Sequence, residues 1–220
     1  MSDFYPSITP VKVQNIPSRE TLLDVMVPIL LESEQWQAGK EFEEPEWKTA
    51  IKTFSRHKTA KDGAMWHGRV SEHSEETTGG WEAVWQGIGV NHTLHEKEYY
   101  HELEKAELVK AFNEHQEIWT VYYHLRPPAS NRVFTELITT HVSTDEATGL
   151  RTGYVMSIPV DISSDPELRQ KEFSGTKGAY SAIERVKELP DGGVNWRYTF
   201  SSTRDPHIDA FKDDYDLYTR

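Results

Sequence analysis

The clearest hydrophobic pattern lies near the end of the chain. At Val194–Ser202 the apolar residues Val194, Trp196, Tyr198 and Phe200 alternate with Asn195, Arg197, Thr199 and Ser201. A period of two predicts a strand with one face covered and the other wet. The run 179–189, followed by Pro190, Asp191, Gly192 and Gly193, predicts its hairpin partner. Other β-rich runs stand at 47–56, 65–73, 118–125, 132–142 and 152–162, with turns at 61–63, 126–130 and 145–149. Pro159 within one of these runs predicts a sheet edge or a bulge. Residues 103–112 fit a strand or a helix equally well by period.

Helical spacing comes early. Leu22, Val25, Met26, Ile29 and Leu30 fall on one face, Ser18 can cap the start, and Glu20 complements the dipole. A helix over 18–39 is expected, kinked at Pro28 or split there into two pieces. Residues 81–89 predict a short helix that 91–102 continues, and 163–170 a capped helical turn. The order is α+β: an N-terminal helix, then about seven mostly antiparallel strands, with two short helices inserted early. A helical insertion after an early strand, followed by a meander, is the order of a helix-grip fold, a bent sheet curled round a long C-terminal helix with a cavity between them.

Composition narrows the function. The net charge of −12 leaves no basic stripe for nucleic acid, so neither nucleic acid nor an anionic membrane surface is an expected partner. With no cysteine there is no disulfide, thiolate metal site or thiol nucleophile, as suits an intracellular protein. The longest apolar run, 25–31, is far short of the ~20 residues that span a bilayer. The N-terminus reads as neither a signal nor a transit peptide, so a cytoplasmic location without stable membrane insertion is expected. Seven Trp, ten Tyr and eight Phe supply the core that the modest aliphatic content does not.

The segments MWHGRVSEH (65–73), WQGIGVNHTLHEKEYYHEL (85–103), IWTVYYHLRPP (118–128), RVFTELITTHV (132–142), SIPVDISSDPEL (157–168), YSAIERVKEL (180–189) and WRYTFSS (196–202) resemble a fungal START-like family. That family lies within the lipid-transfer and polyketide-cyclase superfamily that includes the birch-pollen allergen. The resemblance spans roughly residues 18–203, leaving 1–17 as an extension and 204–220 as a short divergent tail. It implies a helix-grip START-like fold: a curved antiparallel sheet around a ligand cavity. Family members close the cavity with a long amphipathic helix. Here the tail offers only Ile208, Phe211 and Tyr215 as an apolar stripe, among six charged residues between Asp209 and Arg220. Either the cavity is open at one end or a second subunit covers it, which would make a homodimer.

Candidate chemistry concentrates on a few positions. NHTLHEKEYYHE (91–102) is dense in His and Glu, but its spacing is not HExxH, and a solvated helix accounts for most of it. His92 or Tyr99 could stand at a cavity rim. In the strand at 65–73, His67 and Arg69 share a face with Ser71 and His73. His67 could serve as an acid or base near neutral pH, and Arg69 could hold a carboxylate or enolate oxygen. Glu136 sits between Phe134 and Ile138, where a carboxylate is costly without a partner, and Arg69, Arg185 and Arg197 are the candidates. An aromatic-rich inner face suits a greasy guest lined by Trp119, Val121, Tyr123, Ile138, Tyr154, Met156, Trp196, Tyr198 and Phe200. No GxSxG, Walker loop or dinucleotide fingerprint is present, and no cofactor or metal is expected. Three functions compete: binding of a hydrophobic small molecule (a lipid, sterol or polyketide-like compound), a cyclase, dehydratase or isomerase of fungal secondary metabolism that uses His67, Arg69 or Glu136, and an interaction protein with a vestigial pocket.

Overall fold

The computed structural model describes residues 4–45, 48–125, 127 and 130–203. In chain order the strands are β1 (Val11–Lys12), β2 (Gln37–Glu44), β3 (Thr49–Arg56), β4 (Trp66–His73), β5 (Leu103–Asn113), β6 (Gln116–Tyr123), β7 (Arg132–Thr144), β8 (Arg151–Asp161), β9 (Thr176–Lys177), β10 (Tyr180–Glu188) and β11 (Val194–Ser202). The helices are α1 (Arg19–Glu32), α2 (Glu75–Thr78), α3 (Gly80–Ile88), α4 (His92–Tyr99) and α5 (Pro166–Arg169). The sheet runs β2-β3-β4-β11-β10-β8-β7-β6-β5, with β1 added to β8 and β9 to β7. Every neighbour on that path is antiparallel, and β1 and β9 join in parallel.

Helix α1 lies on one face of the sheet. The Ser18 side chain accepts from the Thr21 N–H and caps its start. Leu22, Met26 and Leu30 then meet Ile118, Leu137, Met156, Ile158 and Ile183, all fully buried. Each such side chain contributes about 1.5–3 kcal/mol of burial, so this layer is the main stabilising block. Pro28 is tolerated because it and Asp24, whose carbonyl it leaves unbonded, both face solvent.

The helix is shorter than its apolar spacing suggests. It ends at Glu32, and Gln37–Glu44 forms an edge strand whose polar, exposed side chains carry no alternation to read. The expected 81–102 helix is broken in two, with Gly89 ending α3 and Asn91 in the left-handed region at φ 49°. Residues 103–112 are a strand whose register shifts three times against β6. Pro159 lies where β10 stops pairing at Ser157 and β1 starts at Val160, so its missing N–H interrupts no ladder.

One expectation about β11 fails. Its supposedly wet face includes Thr199 and Ser201, both fully buried. α1 and the turn after it cover this side. Arg197 donates to Ser33 Oγ (2.9 Å) and stacks over Phe54, which meets Trp36 edge-on. Both faces of the sheet are therefore covered, and polar residues are buried on each.

Candidate functional site

The face opposite α1 carries α3 and α4. Trp81 and Trp85 stack at 5.6 Å, and Trp81 Nε1 donates to the Val186 carbonyl (3.1 Å). Gly153 lets α3 sit this close, since a Cβ there would come within 2.3 Å of the Trp85 ring. After the break at Asn91, His92 starts α4 with Nδ1 2.7 Å from the Ile88 carbonyl. A carbonyl only accepts, so Nδ1 carries a proton and Nε2 points toward Glu96, 3.9 Å away.

Strand register sets what lies beneath these helices. One row across the sheet holds Arg69, Tyr198, Glu184 and Val155. The next holds His67, Phe200, Ala182, Ser157 and Ile138. Glu136 follows, between Trp119 and Pro159.

Among the described residues, two spaces border this face. The larger, about 500 Å³, lies between the α3–α4 junction and the ends of β6 and β7, with Trp85, Trp119, Ile138 and Val142 as apolar wall and His92, Glu117 and His141 among its polar groups. The smaller, about 40 Å³, lies under α4 and is bounded by Arg69, Glu96, Tyr100, Tyr180, Glu184 and Trp196, with His92 again in its wall. His92 is thus common to both.

The smaller space is polar and unevenly charged. Glu184 accepts from Trp196 Nε1 (3.0 Å), and Glu96 accepts from the Tyr123 hydroxyl (3.1 Å). Arg69 lies over the rings of Trp196 (5.1 Å) and Tyr198 (5.6 Å). Glu136 is 2% exposed, and its Oε1 has no hydrogen-bond partner among the described residues. Burial pushes its carboxyl well above the ordinary value; the Tyr180 hydroxyl opposes this and the charge of Glu96 adds to it. Burial also raises Glu184, against the pull of His92 and Arg69. Tyr123 and Tyr180 are raised by burial and then by neighbouring carboxylates.

Six of the sequence-derived residues line one space or the other. Trp119, Ile138 and His92 line the larger space, and Arg69, Trp196 and Tyr198 the smaller. Phe200 stacks on Tyr198 at 5.3 Å, while Val121 and Tyr123 pack with Phe134 and Leu103 on the same side of the sheet. Tyr154 and Met156 need correction. Strand parity puts them on the α1 face, where Met156 is fully buried in that core and Tyr154 packs beside it. Tyr99's side chain lies outside the described residues.

The expected arginine partner of Glu136 is also absent among the described residues. Arg185 and Arg197 pair with each other's strand on the α1 face, and Arg185 donates to Asn195. Nor do His67, Arg69 and Glu136 form one centre. β4 and β7 are four strand steps apart, about 19 Å along the sheet at ~4.8 Å per step. His67 sits against Phe200 (ring centroids 5.8 Å), and burial lowers its pKa. No His, Asp and Glu grouping among the described residues can hold a metal ion.

Sequence reasoning missed Trp81, Trp85, Tyr180 and Glu184, and read Glu96 as part of a solvated helix. Glu184 had a signal: it stands between Ala182 and Val186, as Glu136 stands between Phe134 and Ile138. Glu96 had none, because its direction depends on the break at Asn91.

The architecture, a long antiparallel sheet with short helices inserted after its third long strand, is START-like. It is similar to the human StarD13 (DLC2) lipid transfer and protein localization domain, at 12% identity and TM-score 0.55 over 87% of this chain and 88% of that one. Human StAR-related lipid transfer protein 5 gives 14% identity and TM-score 0.62 over 89% and 88%. Human STARD10 gives 8% identity and TM-score 0.59 over 93% and 76%. Within that fold, residues 66–212 match the family described as "Protein of unknown function (DUF3074)", and the chain belongs to it. No curated protein matches the chain. No helix among the described residues is long and apolar enough to cross a membrane.

Proposed function

We propose that this protein binds an apolar small molecule, such as a lipid, sterol or polyketide-like compound, between the α3–α4 pair and the sheet. The observation that carries this is the space of about 500 Å³ walled by Trp85, Trp119 and Ile138. Its size falls within the ~300–1,000 Å³ of small-molecule sites, and Trp85, Trp119, Ile138 and Val142 give it an apolar wall within a lining whose other members, among them Arg19, His92, Glu117 and His141, are largely polar. Three similar structures are named for StAR-related lipid transfer or as STARD proteins, which agrees with the reading without naming a ligand.

Magnitudes say what such a guest needs. Ten buried methylenes contribute about 8 kcal/mol at ~0.8 kcal/mol each. Association costs at least ~4 kcal/mol, so grease alone gives weak binding. Polar contacts must supply the remainder, and His92 borders both the larger space and the smaller polar one. The test is native mass spectrometry of protein purified from its own host, followed by solvent extraction. A stoichiometric apolar compound released from the protein is expected. Protein that stays ligand-free and takes up no apolar compound from a host lipid extract would end this reading.

A further inference from the structure

The polar end of the guest can be read from the imbalance beneath α4. Glu96 and Glu184 border the small space, and Glu136 flanks it through Tyr180. Against these three carboxyls the described lining offers one guanidinium, Arg69, and one imidazole, His92. Arg69 is already engaged over Trp196 and Tyr198, and His92 donates Nδ1 to Ile88. Glu96 and Glu184 each have a neutral donor, from Tyr123 and Trp196. Glu136 Oε1 has none among the described residues, at 2% exposure. A buried acceptor without a donor costs about 1–3 kcal/mol, and a carboxylate more. The surrounding aromatic rings, Tyr100, Tyr180, Trp196 and Tyr198, present faces that attract cations.

We propose that the guest's polar end is a positively charged hydrogen-bond donor, an alkylammonium group, received between Glu96 and Glu184, with Glu136 behind Tyr180 as the third carboxyl. This rests on the binding reading above and adds the headgroup to it. An ammonium adds a second positive charge beside Arg69 and up to three N–H donors for the three carboxyls. A carboxylate or phosphate head would meet three carboxyls against Arg69 alone and is expected to bind more weakly. The apolar chain then extends past His92 toward Trp85 and Trp119.

The experiment is competition by dodecylamine, dodecanol and dodecanoate against diphenylhexatriene, a neutral apolar fluorophore, on the full chain at pH 7. The order expected is amine, then alcohol, then acid, with the amine at least tenfold tighter than the acid. The net charge of −12 attracts cations to the whole surface, so the deciding result comes from Glu136→Gln. That variant changes the net charge by one and keeps the side-chain shape. It should cut the amine-to-acid preference about tenfold and leave dodecanol unchanged. Glu184→Gln gives the same result in a second fold context, with circular dichroism confirming that both variants fold. Equal amine and acid affinities, or a preference untouched by both substitutions, overturn the headgroup proposal while binding stands. If the fluorophore binds and none of the three displaces it, the headgroup proposal falls; if the fluorophore itself shows no saturable binding, both proposals fall.

Discussion

Asp62 and Glu136 are buried alike, at 0% and 2% exposure, yet the protein surrounds them differently. Asp62, in the turn before β4, accepts from the Tyr5 hydroxyl (2.6 Å), Arg56 (2.9 Å), Trp66 Nε1 (2.9 Å) and the Thr59 N–H. Burial alone would raise its pKa, but the hydrogen bonds from Tyr5, Thr59 and Trp66 outweigh it, and the group stays below its usual value. Glu136 has one tyrosine hydroxyl nearby, a second carboxylate facing it, and a raised pKa. Asp62 therefore belongs to the scaffold: its donors are supplied within the fold, and they pin the N-terminal arm and the turn to β4. Glu136 has Tyr180 beside it, but its Oε1 has no donor among the described residues.

The largest effect separating these regions is expected from Asp62→Ala. Losing the carboxylate strands Arg56 and the Trp66 N–H, at a cost of about 2–4 kcal/mol. At ~2–4 °C per kcal/mol for a chain of this size, thermal unfolding should fall by about 4–16 °C. An unchanged melting temperature would refute the scaffold role.

Leu137 and Ile138 offer a finer comparison, adjacent on β7 but on opposite faces. Leu137→Ala opens a void in the α1 core and should cost about 3–5 kcal/mol, with binding of an apolar probe intact. Ile138→Ala enlarges a space that already exists. It should cost at least ~1 kcal/mol less and change probe affinity. Chemical denaturation of both variants measures the difference, and equal costs would mean the two faces are packed alike.

Smaller and pH-dependent effects follow at Glu136. A carboxyl raised in the folded state contributes stability fully below its unfolded pKa and loses it as pH rises toward the folded pKa. The groups facing it are Glu96 from α4, Tyr180 from β10 and Tyr123 from β6. Glu136→Gln should match wild type near pH 4 and become more stable as pH rises, by about 1–2 kcal/mol at pH 8. Asp62 has the opposite sign, its contribution being present above its unfolded pKa and lost as pH falls through the folded one. Melting curves between pH 3 and 8 test both. A Glu136→Gln difference that does not vary with pH would show that the carboxyl titrates normally. The smallest expected change is Ser18→Ala, about 1 kcal/mol from the lost α1 cap with no effect on binding.

Much of the scaffold was legible because local rules govern it. Ser18 capping, the alternation at Val194–Ser202 and the Pro190–Gly193 turn all depend on neighbours in sequence. β2 was not legible, since an exposed edge strand buries too little to leave a pattern. Burial of Thr199 and Ser201 was hidden for a related reason: small hydroxyl residues read as wet, but here they lie under a helix more than a hundred residues upstream. Candidate site residues were found where they interrupt an apolar strand face, as Glu136 does. Met156 and Tyr154 were misplaced because a strand covered on both sides gives parity without saying which face is which.

The proposed function turns on whether the space beside Trp85, Trp119 and Ile138 takes an apolar guest. Diphenylhexatriene titrated into wild type and into Ile138→Trp, read by energy transfer from the pocket tryptophans, addresses this directly. Saturable binding to wild type is expected, weakened at least tenfold when the indole fills the space. No saturable binding to wild type, or equal binding to both proteins, would contradict it.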